Sequence, residues 1–334
     1  MVKRQGSTLF FQQKPKIRAY ASAAGRKEME GPLGGCFDLT SEDNTFGEKT
    51  FEKAESRLQK TVLELALQKA GLEASRVDAL FAGDLQNQCA GSAYGVRDFG
   101  IPFLGLYGAC STMAEGLICG SIFVESGAAA ECAAVTSSHF CAAERQFRFP
   151  LEYGGQRTPT SQWTATAAGC VLLSESVGNV SVTAATPGRI VDLGVCDLNN
   201  MGAAMAPAAA DTLLRFFADT HTAPADFDLI ATGDLGLVGS ELLVSLCQKE
   251  GVELAPFHRD CGLALYDREA QQVDAGGSGC GCGASVLCAE ILPSMEEGRR
   301  KNILFVATGA LMSTTTVQQG ESIPSIAHLV WLSI

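Results

Sequence analysis

Cys110 stands in "LYGACSTMAEGL" (106–117), between a short apolar run and a Ser-Thr pair that leads into helix formers. If Ala109 ends a strand and Ser111 begins a buried helix, the thiol lies at a helix N-terminus, where unpaired N–H groups and the helix dipole favour an anion. That placement predicts a lowered thiol pKa and a thiolate able to attack an activated carbonyl, with Gly108 admitting close approach. A small buried cysteine at a strand–helix junction fits the same residues, since the chain has 13 cysteines. The chain has only four histidines to serve such a thiol as a base. His221 in "DTHTAP" and His258 in "PFHRD" fall in polar, loop-like contexts and read as surface or structural residues. His328 in "SIAHLVW" reads as a satisfied buried histidine. His139 ends the strand-like run after the Cys110 helix, where sites collect in parallel α/β sheets, so it either lines a pocket or makes a structural hydrogen bond.

The elements that would position these residues come in two copies. "VDALFAGDL" (77–85) matches "FDLIATGDL" (227–235), each with an Asp, an apolar run and then Gly-Asp-Leu, at an offset of 150 residues. A second match runs at offset 171: Cys110 opens a helix-like run to Gly127 before "VTSSH" from Val135, and Gly281 opens one to Gly298 before "VATGA" from Val306. Helix-length segments such as 51–70 alternate with short β-branched runs, the pattern of α/β layers with mostly parallel inner strands. The halves are drawn at 1–180 and 181–334, and residues 139–165 have no counterpart in the second half. They read as an insertion carrying loops, where specificity collects.

Composition narrows the function classes. With 46% apolar and 19% charged residues the chain is globular, and its apolar stretches are interrupted well before bilayer-spanning length. The N-terminus lacks the apolar core of a signal peptide, so the reading is a soluble chain made in the cytoplasm. A net charge of −12 argues against a nucleic-acid partner. The cysteines sit in alanine-rich contexts and read mostly as core residues. Cys280 and Cys282 form a C-x-C without a second ligand pair, so no metal site is expected. "GGSGCGCG" has neither a dinucleotide fingerprint nor a Walker lysine. Before Glu28 the chain carries seven basic residues and no acidic one, a basic arm suited to an anionic membrane surface or to solvent.

Taken together, the duplicated α/β halves, the Ala-Cys-Ser-Thr elbow and the Gly-rich second-half copy resemble the thiolase superfamily. "GRKEMEGPLGGCFD", "AGDLQNQ", "FGIPFLGLYGACST", "VTSSHFCAAERQFRFPLEYGGQ", "MGAAMAPAAADT", "DLIATGDLG", "DCGLALYD", "AGGSGCGCGAS" and "ATGALMS", spread over residues 20–331, resemble more narrowly its sporulation branch, the stage V AD proteins. The resemblance implies a five-layer αβαβα fold. It also implies binding of dipicolinic acid, a role in its uptake into the developing spore, and peripheral association with membrane-embedded sporulation proteins at the spore inner membrane. A homodimer is a further expectation, since thiolase-like enzymes are commonly dimers.

The catalytic set that the resemblance calls for is incomplete. Condensing enzymes place a His after the repeated strand of the second half and an Asn in the later Gly-rich loop; here the first position reads Gly233, and "AGGSGCGCGAS" has no Asn. Degradative thiolases place Gly-His-Pro in that loop and a second cysteine on the last strand. Here those positions read Cys280 and Ala307 or Thr308, so no catalytic residue is expected and Cys110 reads as a vestigial nucleophile. A helix N-terminus still offers N–H donors to an anion. The expected ligand pocket has Cys110, Ser111 and Thr112 as its floor, His139, Asp84, Asn87, Asp234 and Leu235 as walls, and Ser278 with Cys280 opposite. Arg145, Arg148 and Arg157 are offered to a carboxylate, or pair on the surface with Glu144 and Glu152. Asp84 and Asp234 either cap backbone N–H groups or meet calcium carried by the ligand as its chelate. Two alternatives stand beside this reading: an active acyltransferase using Cys110 with His139 as base, and a scaffold for membrane partners without a ligand.

Overall fold

Alternation of side chains along the strands sets the architecture. In the computed structural model, which describes residues 1–147 and 157–334, strands send successive apolar residues to opposite faces. On β2 (Ala79–Gly83), Ala79 and Phe81 enter one cluster and Leu80 and Ala82 another; on β9 (Asn302–Ala310), Ile303 and Phe305 part from Leu304 and Val306 in the same way. A sheet apolar on both faces must be covered on both.

The remaining spine strands are β1 (Lys16–Ala24), β3 (Phe103–Gly105), β4 (Glu131–Ser138), β5 (Ala167–Ser174), β6 (Val180–Thr186), β7 (Leu229–Thr232), β8 (His258–Asp260) and β10 (Ser325–Ser333). Their order, β8-β7-β9-β10-β6-β1-β5-β4-β2-β3, reads as one five-strand pattern used twice. In the first half β2 pairs parallel with β3 and β4, and β5 antiparallel with β4 and β1. β7, β8, β9, β10 and β6 repeat each relation. The halves join where Val180 and Ser181 pair with Ile17 and Lys16.

Helices complete the five layers. α1 (Phe51–Ala70) covers the outer face of the first half with Leu58, Val62, Leu63 and Ala66, a stripe at helical spacing; Thr50 caps its start, and Gly71 ends it in the left-handed region at φ 58°. α5 (Met201–Thr220) and α6 (Gly236–Lys249) cover the second half. Between the sheets lie α3 (Thr112–Glu125) and α8 (Cys280–Val286), the latter continuing through a π turn to Glu296. Both are apolar nearly all round, as helices enclosed on every side must be. Each Leu or Val so enclosed contributes roughly 1.5–3 kcal/mol.

Two expectations change. The basic N-terminal segment is not an arm: Lys3–Gln5 and Thr8–Phe10 form a hairpin whose Leu9 and Phe10 pair with β6, and Lys16 and Arg18 belong to β1. Apolar Leu9, Phe10 and Phe11 anchor it despite its charge. Within the insertion, residues 140–147 are helical, α4 (Phe140–Phe147), because Ala142 and Ala143 bury against the body. Among the cysteines, eight are buried and all 13 are free thiols.

Candidate functional site

The elbow before α3 is built on backbone strain. Ala109 takes φ 50°, a left-handed conformation unusual for a residue with a Cβ, and a 3₁₀ turn over Ala109–Ser111 leads into α3. Ser111 Oγ donates to the Gly108 carbonyl at 2.6 Å and Thr112 Oγ1 to the Ala109 carbonyl at 2.6 Å, so both hydroxyls brace the turn. Gly309 on β9 lets the elbow close on the second half: a Cβ there would stand 2.5 Å from the Gly108 oxygen.

Around the half-buried Cys110 the second half supplies an acid and a second thiol. Cys280 Sγ donates to the Ala109 carbonyl at 2.9 Å and is within hydrogen-bonding reach of the Cys110 thiol, as is the buried Asp234 carboxyl. Asp234 accepts from Gly279 N–H at 2.9 Å, Ser278 Oγ at 3.1 Å and Thr308 Oγ1 at 2.9 Å. The lowered thiol pKa expected from the helix terminus is overturned. The Cys280 contact, burial and the neighbouring Asp234 hold the Cys110 thiol well above its ordinary value. Burial raises Asp234 as well, while its donors oppose that shift. The chamber therefore keeps a protonated thiol beside a hydrogen-bonded carboxyl.

The structure thus brings Cys110, Asp234, Ser278 and Cys280 together, with Thr308 bound to the same acid at the position where a second cysteine was sought. The other expected residues have partners elsewhere. Asp84 accepts from Gln86 N–H and Ser92 N–H at 2.8 and 2.7 Å and lies beside the buried Glu55; Asn87 bonds Gln146 of α4. Asp84 therefore caps two backbone N–H groups, while Asp234 is held by one backbone N–H and two hydroxyls. Leu235 N–H donates to Asp260 at 2.8 Å. His139 is buried, its Nε2 2.7 Å from the Asn44 carbonyl and its ring 5.3 Å from Phe51, and burial pushes its pKa down. Arg145 pairs with Glu52, because α4 packs beside α1. Arg157 pairs with Asp274 at 3.3 Å and Glu144 at 3.8 Å. Arg148 and Glu152 lie outside the described residues. His258 is not in a loop: it opens β8 beside Ile230, a strand too short to show alternation.

Three residues of the neighbourhood escaped the sequence reading. Trp163 stacks on Phe140 with centroids 3.8 Å apart, while Lys27 Nζ lies 4.0 Å and Arg157 Cζ 5.1 Å from its ring. Trp163 and Thr164 pair with Gly277 and Ser278, so this cationic cluster sits one strand pairing from the Asp234 ligands. Lys27 donates to the Gln271 carbonyl at 2.7 Å, and burial, with Arg157 nearby, lowers its pKa. On α3, Glu115 Oε2 is buried without a hydrogen-bond partner among the described residues and faces Gly108, so burial raises its pKa. A lone acid five residues after Cys110 in an apolar helix was the one signal available; Lys27 and Trp163 had none.

Comparison with known proteins agrees with this architecture. The sequence model of the family "Stage V sporulation protein AD" matches residues 5–333. Stage V sporulation protein AD of Bacillus subtilis (strain 168) is 44% identical over 321 residues, 96% of this chain and 95% of that protein. Among solved structures, 3-oxoacyl-acyl-carrier-protein synthase III from Aquifex aeolicus superposes with a TM-score of 0.57 at 12% identity, covering 96% of this chain and all of that one. An OleA variant from Xanthomonas campestris gives 0.61 at 13% identity, covering 97% and 99%. At these identities the likeness is one of fold, and that fold is thiolase-like.

Proposed function

The chain belongs to the stage V sporulation protein AD family, and from that premise we propose that it is a non-catalytic thiolase-fold protein that binds dipicolinic acid and supports its uptake into the developing spore. The observation that carries this reading is the Cys110 chamber, kept with its elbow and strain but furnished with Asp234 and Cys280 at the thiol. A nucleophile needs a base or a depressed pKa, and this thiol is held in the opposite direction.

Dipicolinate is a planar aromatic carrying two carboxylates. Asp234 disfavours a bare carboxylate at Cys110, although three donors draw off its charge. Lys27 and Arg157 at Trp163 supply the cationic side. Calcium held in the ligand's chelate would relieve the repulsion from Asp234 in the same way. No helix among the described residues is long and apolar enough to cross a membrane, and attachment is proposed to be peripheral, through membrane-embedded sporulation proteins. A homodimer is proposed across the edge strand β3, where Phe103 and Leu104 are exposed beside Tyr107.

The test is calorimetric titration with dipicolinic acid, with and without calcium, on wild type, Cys110→Ala and Lys27→Gln. Saturable binding weakened in both variants supports the reading. Absence of binding to wild type sinks it, and acylation of Cys110 by an acyl thioester would favour an acyltransferase. If neither occurs, the scaffold reading takes its place.

A further inference from the structure

One buried side chain of the insertion is tied to the residues that surround Cys110. Gln162, in "TPTSQWTA" (158–165), is 6% exposed. Its segment runs beside the Gly-rich loop of the second half. The Ser161 carbonyl accepts from Ala275 N–H at 3.0 Å, Trp163 N–H donates to the Gly276 carbonyl at 2.8 Å, and Ala165 N–H donates to the Ser278 carbonyl at 2.8 Å. The Arg157 guanidinium donates to the Gln162 carbonyl, so the main chain here is held on both sides and the direction of the side chain is set.

A carboxamide nitrogen carries two N–H donors, and Gln162 uses both on main-chain carbonyls. Its Nε2 donates to the Asp234 carbonyl at 2.7 Å and to the Gly277 carbonyl at 2.7 Å. Its Oε1 is buried with no partner among the described residues. Turning the amide over would set that oxygen against two carbonyl oxygens, so the orientation with Nε2 inward is the favourable one. Behind Gly277 the space is closed by α7 (Cys261–Leu265): a Cβ on Gly262 would stand 2.4 Å from the Gly277 oxygen.

These bonds close a ring around Asp234. Its carboxyl accepts from Ser278 Oγ at 3.1 Å and Gly279 N–H at 2.9 Å, while its own carbonyl is joined through Gln162 to Gly277, the residue before them. One loop thus holds both ends of the same residue, the side chain directly and the main chain through the amide. Without the amide the carboxyl keeps its ties to Ser278, Gly279 and Thr308, but the Asp234 main chain loses its bond across to that loop.

We infer that Gln162 is the positioning residue of the chamber: by bridging the Asp234 and Gly277 carbonyls it holds the Asp234 carboxyl against the Cys110 thiol. It touches neither sulfur and acts through Asp234. The assignment rests on the reading of Cys110 as a thiol restrained by that acid. It gives the insertion a role in the chamber that the second half does not supply for itself.

The test is a double-mutant cycle on the full chain, read by iodoacetamide labelling of Cys110, with the exposed Cys36 and Cys196 as internal references. A retreat of Asp234 by about 1 Å, from about 4 Å at an effective dielectric near 20, sets the expected change in thiolate at about two- to fourfold. Gln162→Met, which keeps the length of the side chain and removes both donors, is expected to speed Cys110 by that factor and to leave the references unchanged. In the Asp234→Asn background the same substitution is expected to add nothing, because the charge it repositions is gone. Gln162→Asn, which withdraws the amide by one methylene, carries the same cycle if Gln162→Met does not fold. Where Asp234→Asn itself accelerates Cys110, two results overturn the assignment alone: an unchanged rate in the Gln162 variants, or equal acceleration with and without Asp234, the mark of general loosening. An Asp234→Asn rate equal to wild type removes the restrained-thiol reading and the Gln162 assignment with it.

Discussion

Replacing Asp234 by Asn tests the electrostatics of the chamber directly. Two groups in hydrogen-bond contact, about 4 Å apart at an effective dielectric near 20, interact by about 4 kcal/mol when both are charged, close to a thousandfold in the thiol–thiolate ratio. The realised effect is smaller, because Gly279, Ser278 and Thr308 already draw on the Asp234 charge and burial favours its protonation. Cys280, the largest cause of the raised Cys110 pKa, also remains in place. An increase of about ten- to hundredfold in thiolate is expected, roughly 1.4–2.8 kcal/mol. Iodoacetamide labelling at pH 7.5, followed by peptide mass spectrometry, reads it, because the thiolate is the reacting species. Cys36 and Cys196 are exposed and serve as internal references. In wild type Cys110 is expected to react more slowly than either, and Asp234→Asn to accelerate Cys110 alone. If wild-type Cys110 outpaces both references, or Asp234→Asn leaves its rate unchanged, the argument for a silenced nucleophile fails.

His328, whose Nδ1 accepts from Gly188 N–H at 3.0 Å, has its pKa pushed down to about 4 by burial. The unfolded chain therefore binds more protons between about pH 4 and 6.5, and stability rises with pH across that window, by at most about 3 kcal/mol from this group. Asp260 acts in the opposite direction: burial raises its pKa to about 7, so its contribution falls as pH rises from about 4 to 7. Urea titrations at pH 4.5 and 6.5 should show His328→Gln gaining less stability over that interval than wild type; an unchanged gain refutes the assignment. Gly309→Ala should cost about 1–3 kcal/mol in thermal unfolding, since its Cβ would meet the Gly108 carbonyl at 2.5 Å. Leu104→Lys on the edge strand should convert a dimer to monomer in sedimentation velocity, and a dimer that survives the substitution would remove β3 from the interface.

Periodicity and duplication made the framework legible. The helix expected at 51–70 forms over Phe51–Ala70, because its apolar stripe, its Thr50 cap and its Gly71 stop agree. The repeated Asp and Gly-Asp-Leu segments occupy matching positions in the two five-strand patterns, since each half must cover both sheet faces in the same way. Short strands such as β8, and the hairpin that absorbs the basic N-terminus, lack enough residues for a pattern to show.

What the sequence by itself determined was residue type and order: an elbow cysteine, a glycine where a base would stand, and two similar α/β halves. Tertiary structure alone decided the chemistry of that cysteine. Cys110 and Asp234 are 124 residues apart in the chain, and a helix terminus read locally predicts a lowered pKa. Bringing the halves together seats Cys280 and a buried carboxyl on the thiol and reverses that prediction. A pKa is set by desolvation and by charges within a few ångströms, and only the closed fold defines either.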